Sequence, residues 1–237
     1  MFDNNSYRQP TYGYDATSLA TKVSAVMKRV YFKMTLGLLV SAFISMWCSD
    51  SQVYWSFMQS HSWAIWVLML AEIGLVIAIT GAIRRLSTAA ATGLFYLFAA
   101  VNGLALAPIF IVYTQHSIAV TFFVTAGTFA AMSIYGYFTS NDLSKMGSIL
   151  VMALIGLIIA SVVNIFLHSE TMMWIITYAG VLIFVGLTAW DTQQIKNMAI
   201  PMDGASSGKL ATLGALTLYL DFINLFLYLL RIFGNRD

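Results

Sequence analysis

Residues 216–231 read LTLYLDFINLFLYLLR, an apolar helical segment with one carboxylate, Asp221, near its middle. An ionisable side chain at membrane depth costs at least about 2.5 kcal/mol, so it normally faces a partner, a cavity or a pathway. A second carboxylate, Asp191, closes the preceding apolar run in GLTAWDTQQIK. The two acids lie on consecutive apolar segments, and we expect them to form the working site of the protein.

Composition places the chain among helical membrane proteins. Of its 237 residues, 59% are hydrophobic and only 9% are charged, whereas soluble domains have roughly 25% charged residues. The apolar residues form blocks close to the roughly 20 residues that cross a bilayer, and these blocks do not alternate in polarity as the strands of a membrane barrel do. The fold class predicted is all-α, and the net charge of +2 argues against a nucleic-acid partner.

Seven apolar blocks predict a seven-helix transmembrane domain over residues 30–237. Residues 1–29 precede it as a tail, and the helical spacing of its apolar residues from Ser18 indicates an amphipathic lead-in. A simple positive flank to the first span explains the same residues equally well. The predicted spans are residues 31–48, 62–83, 89–113, 117–137, 147–168, 172–191 and 211–233.

The distribution of basic residues predicts the orientation of the spans. Ten of the twelve Lys and Arg residues lie in the tail, at the start of the first span, or in the second, fourth and sixth connections. The positive-inside rule makes that side, with the N-terminus, cytoplasmic. Seven full crossings would leave Arg231 and Arg236 outside, whereas a re-entrant last segment would return them inside. We favour a full crossing because LTLYLDFINLFLYLLRIF at 216–233 has no Gly or Pro break.

Polar residues extend from each acid along one helix face. Thr217 and Asn224 share a face with Asp221, and Thr188 lies three residues before Asp191. If the two faces meet, the carboxyl groups would share a proton, because two such groups at about 3 Å do not ionise together easily. Alternatively, each acid bonds only to groups of its own helix.

Depth constrains this pairing. Asp221 lies about 15 Å into the last span at 1.5 Å per residue, whereas Asp191 lies at the inner edge of the sixth. The pair therefore requires that the sixth helix runs deeper than predicted, or that the seventh begins inside a cytoplasmic vestibule.

Three other charged residues are candidates for the site. Glu72 lies within the second span and is either part of a pathway or a neutral acid bonded to a neighbouring helix. Arg84 and Arg85 lie at the inner edge of that span. They set the orientation in the simplest interpretation, and one of them is also a candidate latch on Asp191, because arginine pairs well with carboxylate.

Three stretches of the sequence resemble one family. YGYFTSNDLSKMGSIL at 135–150, TAWDTQQIKNM at 188–198 and LTLYLDFINLFLYLLRIFGNRD at 216–237 are similar to the Bax inhibitor-1 (TMBIM, YccA-like) membrane proteins. The resemblance implies a seven-helix bundle with a central final helix and a pH-sensitive calcium leak. It also implies an aspartate pair, matched by Asp191 and Asp221, that senses pH and binds calcium, and an arginine latch on the second helix.

The chemistry of two acids fits that expectation. Ionised carboxylates attract Ca²⁺, which takes six to eight oxygen ligands, and Asn224 or Thr188 would add further oxygens. Protonation would remove the negative charge and release the cation. We therefore expect a calcium leak channel in a bacterial inner membrane. Its partners are calcium ions and protons, and no organic cofactor is expected.

Other functions are weaker readings of the same residues. An enzyme is not expected, because the sequence has no HExxH or GxSxG motif and no Gly-x-Gly-Asp element of an intramembrane aspartyl protease. A proton-coupled transporter is a further option. The main alternative is a regulatory membrane protein that acts by binding another membrane protein, such as a membrane protease or a cell-death factor.

Overall fold

The computed structural model describes residues 16–201 and 205–235, so the first fifteen residues of the predicted tail lie outside the described residues. Seven long segments of the described chain are helical and apolar enough to cross a membrane, with α4 and α5 together forming one of them. This confirms the all-α, seven-span prediction. The helices are α1 (Ala16–Ser49), α2 (Gln52–Ser60), α3 (Ala64–Ala82), α4 (Thr88–Leu106), α5 (Ile109–Val112), α6 (Gln115–Phe138), α7 (Ser144–Leu167), α8 (Glu170–Ala199) and α9 (Ala205–Phe233).

Hydroxyl caps determine where several helices begin. The side chains of Ser87, Thr114 and Ser169 each accept a hydrogen bond from the backbone N–H three residues later, at the starts of α4, α6 and α8. Such caps satisfy N–H groups that have no partner within the helix. Helix α7 ends at Leu167. The next residue, His168, adopts the left-handed conformation with φ of 49°, which allows the chain to turn back at once.

The last helix lies at the centre of the bundle. It packs against α1, α4, α6 and α8, and 67% of its most apolar window is buried, compared with 6% for α7. Leu218, Tyr219 and Leu225 of α9 are completely buried. A helix that is apolar on all sides is buried on all sides, and this helix therefore supplies neighbours to every other part of the core.

The chain after Phe233 shows that α9 runs the whole length of the bundle. The backbone N–H of Asn235 donates to Ser117 Oγ at 3.0 Å, and its carbonyl accepts from the N–H of Thr114 at 3.2 Å. Both partners lie at the start of α6, opposite the end where α9 begins. Arg231 Nη1 lies 3.4 Å from Thr177 Oγ1 on α8. The full crossing predicted from the sequence is confirmed, and its arginine has a polar neighbour.

One end of the bundle is basic. It comprises the start of α1, the turns between α3 and α4 and between α6 and α7, and the connection between α8 and α9, and we call it the basic end. Lys209 Nζ donates to the carbonyl of Arg84 at 3.0 Å, and Lys196 Nζ donates to that of Tyr137 at 2.7 Å. These contacts bring the predicted cytoplasmic connections together on one side.

The sixth span was predicted to end too early. Residues 192–199 are polar, yet α8 continues through them to Ala199. Their polar groups find partners in the turn between α6 and α7, where Gln193 accepts from the N–H of Leu143 and donates to the carbonyl of Asn141. These partners are distant in the sequence. The polar residues after Asp191 were therefore taken as the end of the helix.

The first helix passes through the predicted boundary at residues 29 and 30 without a break. Val23, Val26, Met27 and Val30, which mark the apolar face of the lead-in, belong to the same buried core as α9. The described part of the lead-in is therefore the beginning of a long helix, and its apolar face contacts protein.

Candidate functional site

The structure brings Asp191 of α8 and Asp221 of α9 together, and we call them the acid pair. Their side chains lie within interaction distance of each other. Asp221 is only 4% exposed, and its Oδ2 atom has no hydrogen-bond partner among the described residues. A hydrogen bond between two carboxyl groups requires a proton on one of them, because a carboxylate only accepts. A pair in this arrangement would therefore hold one shared proton.

The extra length of α8 explains how the acids reach the same depth. Ile195 lies one turn beyond Asp191, and its Cδ1 atom would lie 3.1 Å from a Cβ atom placed on Gly214 of α9. The two helices are antiparallel. Residues that precede Ile195 on α8 and residues that follow Gly214 on α9 therefore lie in the same direction from this contact, and Asp191 and Asp221 are among them. Of the two solutions expected from the sequence, the deeper sixth helix is the one observed.

Close helix contacts hold α8 in place beside the acid pair. A Cβ atom on Gly136 of α6 would overlap the backbone carbonyl of Ala189, two residues before Asp191. A Cβ atom on Gly147 of α7 would overlap the ring of Trp190. Small residues allow helices to approach this closely in membranes, so α6 and α7 fix the acid-bearing turn of α8 by packing.

The neutral residues predicted near the acids bond within their own helices. Thr188 is fully buried, and its hydroxyl donates to the carbonyl of Phe184 at 2.7 Å. The amide nitrogen of Asn224 donates to the carbonyl of Leu220 at 2.8 Å. Their oxygen lone pairs are not used in these bonds, and their role toward a cation stays a prediction.

Neither arginine reaches the acid pair. Arg84 and Arg85 are exposed in the turn between α3 and α4, and no hydrogen bond or ion pair joins either side chain to Asp191 or Asp221 in the described part of the chain. Arginine side chains at the end of a span remain hydrated there at little cost. The candidate latch is not formed in this structure, and the acid pair has no arginine counter-ion in it.

Glu72 lies in a separate polar cluster, which we call the Glu72 network. Asn102 Nδ2 donates to Glu72 Oε1 at 2.7 Å, and the hydroxyl of Tyr219 donates to Asn102 Oδ1 at 2.8 Å. Ser41 Oγ lies 2.6 Å from the Tyr219 hydroxyl. The network links α3, α4, α9 and α1. Glu72 was selected from the sequence, whereas Asn102, Tyr219 and Ser41 were not, and the one local signal for them was the short spacing between Tyr219 and Asp221.

The acid pair alone would supply only part of a calcium site. Two carboxylates offer at most four oxygens, whereas Ca²⁺ takes six to eight ligands. Within the described residues no cluster of three or more His, Cys, Asp or Glu side chains is arranged to hold a metal ion. This donor set does not form a complete calcium site by itself.

Comparison with known proteins agrees with this architecture. The sequence matches the family described as "Inhibitor of apoptosis-promoting Bax1" over residues 23–237. The chain belongs to the Bax inhibitor-1 family. Both acids and every residue of the Glu72 network lie within the matched region.

Similar proteins occur in distant bacteria. The protein named "Inner membrane protein YbhL" of Escherichia coli (strain K12) is 52% identical over 213 residues, covering 89% of this chain and 91% of that protein. A protein of Borreliella burgdorferi is 46% identical over 212 residues, with 89% and 91% coverage. A protein of Rickettsia prowazekii is 41% identical over 211 residues, with 89% of each chain covered. This Bax inhibitor-1 family member is a multi-pass integral membrane protein.

Proposed function

We propose that this protein is a pH-sensitive calcium leak channel of a bacterial inner membrane, controlled by protonation of the acid pair. The observation that carries the proposal is the contact between the side chains of Asp191 and Asp221 inside the bundle. Polar residues in the interior of a membrane protein normally mark an ion or proton pathway. The name of the Escherichia coli relative supports the choice of membrane.

Protons and calcium compete for the same oxygens. When both carboxyl groups are ionised, their two charges attract a divalent cation and repel each other. When one proton binds, a hydrogen bond between the acids replaces the cation and half of the negative charge is lost. Conduction requires that an ion enters a site and also leaves it. Proton uptake therefore promotes release of calcium, and the leak increases as the pH falls.

The absence of an arginine at the described acid pair simplifies this mechanism. A latch would add the free energy of a salt bridge to the closed state, and its loss would contribute to opening. Here the pair itself supplies the switch, because the contact between α8 and α9 changes from a proton-mediated bond to a repulsion between charges. The helices that respond are the central helix and its neighbour, which together contact most of the bundle.

Calcium flux through the purified protein in liposomes tests the proposal. We expect the flux to rise as the pH is lowered from about 8 to about 5, and to lose this dependence in Asp191→Asn and in Asp221→Asn. Glu170→Gln is a matched control, because Glu170 is an exposed acid at the other end of α8 and its variant should titrate like the wild type.

Two results would overturn the proposal. Flux that titrates normally in both asparagine variants would remove the acid pair from the mechanism. Wild-type protein that passes no calcium at any pH, although it is correctly folded and inserted, would instead favour the regulatory alternative, in which the protein acts by binding another membrane protein.

A further inference from the structure

A long groove opens on the side of the bundle between α1 and α6. Its volume is about 990 Å³, and Phe222 of α9 forms its floor. The two walls are mainly apolar, with Met34 and Leu38 on one side and Phe129 on the other. At membrane depth such a groove is not filled by water, because its walls offer few hydrogen-bonding groups.

The part of the groove that follows Lys28 matches one leaflet of a bilayer. The lining on α1 begins at Ala20 and ends at Leu38, and its part from Lys28 to Leu38 spans ten residues, or about 15 Å at 1.5 Å per residue. The hydrocarbon core of a bilayer is about 30 Å thick, so one leaflet occupies about 15 Å. The groove therefore has the reach of a single acyl chain that enters from the basic end.

A positive charge lines this groove, eight residues after Ala20, where the lining on α1 begins. Lys28 is part of the lining and is exposed, as is the neighbouring Arg29. In the part of the chain that the structure describes, Lys28 makes no hydrogen bond and no ion pair, and the groove lining contains no acidic residue. An unpaired cation beside an apolar groove is complementary to an anionic phospholipid, which has a negatively charged headgroup and apolar acyl chains.

We propose that the groove is a binding site for one anionic phospholipid of the leaflet at the basic end. The lipid phosphate binds the ammonium group of Lys28, and one acyl chain lies between α1 and α6 against Phe222. A helix from a second protein would also cover the apolar walls, but it would need an acid of its own to pair with Lys28. The lipid supplies both parts in one molecule that is always present in the membrane.

The position of the site links it to the acid pair without depending on calcium transport. Phe222 directly follows Asp221, and Ser133 of the groove lining lies 3.5 Å, between side-chain oxygens, from Thr192, which directly follows Asp191. The lipid thus contacts Phe222, next to Asp221, and Ser133, which touches the residue next to Asp191. The binding site itself is testable by lipid binding alone, whatever the result of the flux measurements.

Native mass spectrometry of the purified full chain can measure this binding. The protein would be titrated in detergent with phosphatidylglycerol, which is anionic, and with phosphatidylcholine, which is zwitterionic, both carrying identical acyl chains. We expect one phosphatidylglycerol molecule to bind first and more tightly than phosphatidylcholine. Lys28→Gln should weaken phosphatidylglycerol binding about fivefold and leave phosphatidylcholine unchanged, whereas Lys145→Gln, at an exposed basic-end lysine of α7, should change neither.

A pair of neighbouring alanines tests the apolar part of the site. Ala130 lines the groove, whereas Ala131 does not, and both are exposed on α6. Ala130→Phe should fill the groove and weaken the binding of both lipids, and Ala131→Phe should bind them as the wild type does. Thermal unfolding of each variant identifies any loss of folding, and Ala126→Phe provides a second groove-filling variant.

The same experiment can overturn the proposal in three ways. Equal affinity for the two lipids in the wild type would show that Lys28 does not select an anion. Equal effects of Ala130→Phe and Ala131→Phe would show that the groove holds no chain. A dimer whose formation excludes lipid from the groove would make a second copy of the protein the occupant.

Discussion

The acid pair and the Glu72 network are two polar clusters of the bundle interior, and both include residues of α9. In the Glu72 network the acid accepts a hydrogen bond from Asn102, and a tyrosine satisfies that amide in turn. In the acid pair, acid meets acid, and one oxygen of Asp221 has no partner among the described residues. An acid that accepts hydrogen bonds from neutral donors stabilises the fold. When two acids are in contact, the binding of a proton changes the interaction between them.

The two clusters also differ in how their helices are held. The Glu72 network joins four helices by side-chain hydrogen bonds. Around the acid pair, the helices are held by glycines that bring backbones into contact. The difference predicts that substitutions of the acid pair change the pH response of the flux. Substitutions in the Glu72 network should instead change the stability of the protein.

The largest expected effect separates the clusters by function. Asp221→Asn should abolish the pH dependence of calcium flux, because an amide neither gains nor loses a proton in this range. Glu72→Gln should keep the pH dependence, because glutamine still accepts from Asn102. Flux measurements on both variants in the same liposomes check this. Loss of the pH response in Glu72→Gln would show that the two clusters act as one site.

A large effect on stability is expected from packing beside the acid pair. Gly136→Val should destabilise the protein by about 3 kcal/mol, because the added atoms overlap the backbone of Ala189 and no side-chain rotation relieves this. Gly127→Val is the control, since nothing lies within 4 Å of a Cβ atom at Gly127 on the same helix. Thermal unfolding in detergent measures both, and equal unfolding temperatures would contradict the packing account.

A smaller effect is expected in the Glu72 network. Tyr219→Phe removes the hydroxyl that donates to Asn102 and contacts Ser41, and the loss of a buried hydrogen bond costs about 1 kcal/mol. Tyr178→Phe changes the same atom at an exposed site and should be neutral. The pH dependence of flux should survive in Tyr219→Phe, and its disappearance would place Tyr219 in the acid-pair mechanism.

The smallest effect is expected at an acid outside the spans. The pKa of Asp142 is held below its usual value of 3.8 by hydrogen bonds from Ser144. Its folded-state stabilisation is therefore present above that value and is lost only as the pH falls through the lowered pKa. Asp142 stays ionised from about pH 5 to 8, so Asp142→Asn should leave the flux titration unchanged. A shifted titration would mean that the surface of the basic end contributes to pH sensing.

The sequence predicted much of this architecture for clear physical reasons. Apolar length and basic residues are local signals, so the seven spans and the grouping of the basic connections follow from them. The contact of Asp191 with Asp221 was also predictable, because a charge in an apolar helix needs a partner and few partners were available. The full crossing of α9 followed from the absence of a Gly or Pro break in residues 216–233.

What the sequence did not predict depends on contacts between distant residues. The end of α8 was misplaced because Gln193 and Lys196 find their partners in the turn between α6 and α7. Asn102 and Tyr219 were overlooked because each is unremarkable within its own helix, and only the fold places them beside Glu72. The arginine latch was expected from resemblance, and position along the chain could not show that both side chains face outward.

Infrared difference spectroscopy tests most directly the central claim that a shared proton and calcium exclude each other at the acid pair. Lowering the pH of the reconstituted protein should produce a protonated-carboxyl band, and adding calcium at constant pH should remove it. Both changes should be missing in Asp191→Asn and Asp221→Asn. A band that calcium leaves unaltered, or that persists in both variants, would contradict the account.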